Sequence, residues 1–141
     1  MIIRGTTPYH SFILPILADE IDTIWITYCQ NEDIIFERSN LEEDENMEII
    51  DLVDLYENAS VEELTDEEKQ CSQLTLHLLQ EETLGFHFYP AAKKNIATIW
   101  IRILATDGES YASEPIKERI FGIRHEGVIG NEGDNINESN G

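Results

Sequence analysis

Apolar and polar residues alternate with a period of two along most of this chain, the mark of half-buried strands. Over residues 23–29, Ile24, Ile26 and Tyr28 share one face, and Thr23, Trp25, Thr27 and Cys29 share the other. Gln30-Asn31-Glu32-Asp33 reads as a polar turn, and residues 34–38 as the returning strand. Residues 95–106 give the longest alternation. Ala97, Ile99, Ile101 and Ile103 face one way, and Thr98, Trp100 and Arg102 the other. Asp107-Gly108 follows as a hairpin signal, because Gly accepts the positive φ of a tight turn. Residues 109–113 and 116–123 form the return, with Pro115 marking a bulge or an edge. Residues 7–14 make a first strand, with Pro8 near its start and Pro15 ending it, and residues 73–79 another. Gln80-Glu81-Glu82-Thr83 reads as a polar turn, with Leu84, Phe86 and Phe88 as a loose apolar edge beyond it.

The period changes between residues 41 and 70. Ile49, Leu52, Val53 and Tyr56 sit at i, i+3, i+4 and i+7, one face of a helix. Capping-box spacing recurs at Ser60–Glu63 and Thr65–Glu68. The segment is therefore expected to be an acidic, partly helical insertion. From Gly127 the chain turns to Gly, Asn and Glu with little to bury, which predicts a flexible tail over 127–141. Residues 1–126 make a single domain. Its short strands, joined by turns and without alternating helices, predict a mainly β fold: an antiparallel Ig-like β-sandwich of six or seven strands. The Ig pair of cysteines around a buried Trp is missing, so the likeness is one of architecture. Cys29 and Cys71 are too few and too far apart for a CxxC motif, and the spacing leaves open whether they pair.

Charge narrows the functional classes. Nine basic residues stand against 29 acidic ones, a formal net charge of −20. Residues 41–70 carry −12 and residues 131–141 carry −3, leaving −5 on the rest of the chain. Such a balance builds no phosphate-tracking surface, so direct nucleic-acid binding is not expected. Anionic membrane surfaces would repel the chain, and no apolar run is long enough for a spanning helix. The first residues show no export signal.

No pattern of catalysis emerges. His10, His77, His87 and His125 lack metal-ligand spacing. Nucleophile-elbow, phosphate-loop and calcium-loop motifs are absent. The abundant carboxylates lie in solvated runs rather than in an apolar cleft. The expectation is a non-enzyme without cofactor or metal.

The remaining candidates are aromatic. If Ile24, Ile26, Ile99 and Ile101 point to the core, Trp25 and Trp100 point outward, beside Arg102. Trp and Arg are enriched among contact hot spots, although a folded-back insertion could equally cover both indoles. Trp25, Trp100 and Arg102 are the predicted contact residues, with Tyr9 and Arg4 as secondary ones.

Four stretches carry a resemblance: residues 4–8 (Arg-Gly-Thr-Thr-Pro), 24–30 (Ile-Trp-Ile-Thr-Tyr-Cys-Gln), 76–86, with its Glu-Glu-Thr turn, and 101–114, with its Asp-Gly turn and Ser-Glu strand. In this order they resemble small structural proteins of tailed bacteriophages and prophages. More remotely, they resemble the Ig-like N-terminal domain of phage baseplate upper proteins. The resemblance implies a virion or virion-assembly protein, in the tail, baseplate or neck, made in the host cytoplasm. Its partners would be other phage structural proteins or further copies of itself. It carries no catalytic residues. An acidic inhibitor of a host protein, mimicking nucleic acid, is the alternative suggested by the net charge.

Overall fold

A computed structural model describes residues 1–56, 63–91 and 95–122. Nine strands lie within them: β1 (Ile2–Ile3), β2 (Tyr9–Leu14), β3 (Ile21–Gln30), β4 (Asp33–Ser39), β5 (Met47–Asp51), β6 (Ser72–His77), β7 (Ile96–Ala105), β8 (Ser110–Ala112) and β9 (Ile116–Phe121). Two short α-helices, α1 (Leu52–Leu55) and α2 (Gln80–Leu84), and 3-10 turns at Ala18–Glu20 and Glu68–Gln70 lie between them.

The strands form two sheets. Six belong to one, in the order β1-β9-β7-β3-β4 with β8 also on β7; β2-β6-β5 make the other. Tyr28, Ile24 and Ile26 of β3 are fully buried, as are Ile99 of β7 and Leu74 and Leu76 of β6. Both sheets thus feed one hydrophobic cluster, to which Ile2, Leu14, Leu78, Phe86 and Ile120 also belong. The alternation read over Ile24–Tyr28 and Ala97–Ile103 is this division between buried and outward faces, but Thr23, expected on the outward side, is buried where the β3–β7 register shifts.

Turn chemistry sets the registers. Asn31 and Glu32 both have positive φ, 52° and 73°, between the paired residues Gln30 and Asp33. Two left-handed residues in a two-residue loop twist as the flanking strands do. Gly108 supplies the left-handed residue of the turn after β7, at φ 93°.

The structure corrects four expectations. The fold is mixed rather than wholly antiparallel, because β1 runs parallel to β9 with Ile2 opposite Ile120. Nine strands replace six or seven, and the return after Asp107-Gly108 divides into β8 and β9 around Pro115. The helix expected from Ile49 begins only at Leu52. Met47 and Ile49 instead pair with Leu76 and Leu74 of β6. Ile49 satisfies both periods, and the unpaired edge of β6 decides for strand, because a buried edge must have its hydrogen bonds made. Asp51 then accepts a hydrogen bond from the Ala18 amide at 2.8 Å, and Leu52 is buried to begin one helical turn. Finally, the polar turn expected at 80–83 is α2. The capping box at 60–63 and the tail over 127–141 lie outside the described residues.

Candidate protein-contact face

The outward side of the six-stranded sheet gathers three of the predicted contact residues. β3 and β7 run antiparallel, with Trp25 opposite Arg102 and Thr27 opposite Trp100. Directly opposed residues share a face, so the two indoles lie on one diagonal with the guanidinium beside Trp25. Trp100 is 45% exposed and Arg102 is exposed, while Trp25 is half-buried. The face continues onto β9. Lys117 stands opposite Thr98, and Arg119 opposite Ile96, its guanidinium 5.3 Å from the centre of the Phe121 ring. Across β4, Thr27 donates to Glu37 at 2.6 Å. In a chain of charge −20 this strip presents Arg102, Lys117 and Arg119 around two indoles, with Glu37 tied to a hydroxyl.

The secondary candidates lie elsewhere. Tyr9 is 68% exposed on the outward side of the other sheet, where its ring stacks on His77 with centroids 4.1 Å apart. Arg4 is half-buried. Its guanidinium donates to the Phe86 carbonyl at 2.6 Å and the Leu84 carbonyl at 3.1 Å, closing the end of α2.

Polar groups that periodicity did not single out hold the framework behind this face. Arg38 of β4 is only 9% exposed. It donates twice to Glu82 of α2, at 2.6 and 2.8 Å, once to Asp44 at 2.9 Å, and once to the His77 carbonyl at 2.8 Å. Glu82 also accepts from the Leu79 amide, so it caps α2. One sequence signal was available. Arg38 is the sole Lys or Arg between Arg4 and Lys69, and an isolated cation among so many acids is well placed to bind several at once. Gln30 is likewise buried and bonds both the amide and the carbonyl of His87 at 2.8 Å, as a strand neighbour would.

Half-buried between the sheets, His10 Nδ1 meets the Tyr28 hydroxyl at 2.7 Å. Burial lowers the His10 pKa below its ordinary 6.5, against a smaller upward pull from Glu118. Burial, then the Glu118 charge, raises that of Tyr28, which stays a neutral phenol. Both cysteines are free, and burial with nearby glutamates raises their pKa values, which keeps them as thiols rather than the nucleophilic thiolate. Among the described residues no group of three His, Cys, Asp or Glu is placed to hold a metal ion, and no helix is long and apolar enough to cross a membrane.

No protein-family model matches the chain, and no curated protein matches it.

Proposed function

We propose that this chain is a non-enzymatic binding module of Ig-like sandwich architecture, acting through protein–protein contact. The strand order supports the architecture: β9, β7, β3 and β4 stand as G, F, C and C′, with β2, β6 and β5 as B, E and D. The observation that carries the function is the outward strip of Trp25, Trp100 and Arg102, extended by Lys117 and Arg119. Amphipathic aromatics beside guanidinium groups make strong contacts at low conformational cost. Its fitting partner is a protein surface with an apolar patch and carboxylates around it. The setting proposed, from the sequence resemblance alone, is a bacteriophage particle or its assembly, in the tail, baseplate or neck.

The test is mass spectrometry of purified particles made with the wild-type chain or with a Trp100→Ala/Arg102→Ala chain. A fixed copy number for the wild type, and loss of the doubly substituted chain from the particles at unchanged stability, is the expected result. Equal incorporation of both chains overturns the role of the face. Absence of the wild-type chain from particles and from assembly intermediates overturns the setting.

A further inference from the structure

A second surface stands apart from the aromatic strip. Strand β2 is the outer strand of the three-stranded sheet, with β6 as its one neighbour. The Leu78 amide donates to the Pro8 carbonyl, and the His77 amide donates to the Asn46 carbonyl on the far side of β6. Antiparallel ladders alternate. His10, Phe12 and Leu14 therefore spend their backbone groups on β6, whereas the N–H and C=O of Tyr9, Ser11 and Ile13 point off the free edge.

Long open edges are normally defended by charge. The β4 edge carries Asp33 and Glu37, and the β5 edge carries Glu48 and Asp51. The other edge strands, β1 and β8, are two and three residues long. Strand β2 reads Tyr-His-Ser-Phe-Ile-Leu, without a carboxylate, in a chain holding 29 acids. Ile13 is 59% exposed there.

Beside this edge runs an apolar groove of about 240 Å³, bounded by Phe12, Leu14, Ile101, Ile103, Tyr111 and Ile116. It is smaller than the pockets of about 300–1,000 Å³ that take drug-sized ligands. It suits apolar side chains projecting from a strand laid along β2. Glu109 and Glu114 flank β8 on the other wall, and the whole chain carries −20, which favours a basic-flanked strand over a second copy of this chain.

We propose that β2 and its groove form a strand-addition site for an extended partner segment with apolar residues at alternate positions and Lys or Arg at its ends. The segment pairs with the backbone of Ser11 and Ile13 and sets every second side chain into the groove. It takes the place beside strand B that strand A fills in a four-stranded Ig sheet. This site goes beyond the contact face above and stands without it.

The probe is a short synthetic peptide alternating Val and Thr between lysine pairs, with a scrambled peptide of the same composition as control. Amide hydrogen exchange of the full chain is followed by NMR. Exchange at Ser11 and Ile13 slowed by about tenfold or more, with the alternating peptide only, supports the site. Ser11→Pro removes an N–H that faces away from β6, so it abolishes the protection read at the Ile13 amide and leaves the fold intact. Should it disturb the strand, Ile13→Lys replaces an exposed side chain and gives the same loss. Trp100→Ala/Arg102→Ala leaves the protection unchanged, which separates this site from the contact face. Unaltered exchange at both amides, or equal slowing by the scrambled peptide, overturns the proposal. So does a dimer of the wild-type chain, seen by light scattering without peptide and lost in Ser11→Pro, because the edge then belongs to a second copy.

Discussion

Replacing Arg38 by Met tests whether the charge cluster holds α2 and the 40–46 loop to the sheets. The substitution keeps a long apolar stem and removes four donated hydrogen bonds: two to Glu82, one to Asp44 and one to the His77 carbonyl. Breaking a fully buried pair from one side costs about 3–5 kcal/mol, because the remaining charge is stranded. Here the Glu82 and Asp44 side chains keep 15% and 22% exposure, so water relieves part of that cost. A loss of about 2–4 kcal/mol follows. In urea unfolding it lowers the midpoint by about 1–2 M at an unchanged slope. The pairing itself is isolated by a double-mutant cycle with Glu82→Met. The double variant is expected to be more stable than the sum of the single losses implies, since neither charge of that pair is then stranded. A loss below about 1 kcal/mol for Arg38→Met, or a coupling near zero, would refute this account of how α2 is held.

Other substitutions probe separate links. Neutral His10 binds its proton more readily when unfolded, so stability is flat above its ordinary pKa of 6.5 and declines as pH falls from there towards the lowered folded value. Tyr28, Glu118 and the Met1 backbone surround it, and His10→Asn makes the decline between pH 7.5 and 5.5 shallower in urea titrations. Gly108→Ala and Gly85→Ala lose stability by different routes. At Gly108, φ of 93° with open space around the new Cβ costs about 1 kcal/mol in backbone strain. At Gly85, a Cβ would stand 2.8 Å from Ile35 Cγ2 and 3.2 Å from the Glu82 carbonyl, costing about 1–3 kcal/mol in overpacking; thermal unfolding compares the two. Gln30→Ala leaves the His87 amide and carbonyl without their partner, costs about 1–3 kcal/mol, and speeds exchange of the His87 amide.

The strands that carry the aromatic strip were readable because each has a run of three apolar residues on one side. Ile24, Ile26 and Tyr28 of β3, and Ile99, Ile101 and Ile103 of β7, leave little choice about which way Trp25 and Trp100 turn. Ile49 misled because spacing alone fits both a helix with Leu52 and Val53 and a strand with Met47. What resolves it is β6, 20 residues and more downstream, which no local period contains. Helix α2 is five residues long, too short to show a helical period. The Arg38 cluster was equally hidden, since its main partner, Glu82, lies 44 residues away. Arg4 stood as a secondary contact candidate for the same reason: its guanidinium donates to the carbonyls of Phe86 and Leu84, 82 and 80 residues away.

The ends of the described chain are fastened late. Ile2 pairs with Ile120 and Ile3 with Phe121, the Gly5 amide donates to Thr83 Oγ1, and Thr83 Oγ1 donates to the Thr6 carbonyl. During synthesis, therefore, the opening strand must wait for nearly all of the described chain to leave the ribosome before its ladder can close. Pairings so distant in sequence are slow to nucleate, which places refolding in the millisecond-to-second range typical of all-β domains. Until β9 arrives, Ile2 has no strand neighbour, and the nascent protein leaves apolar surface open to aggregation for longer than a locally wired domain would.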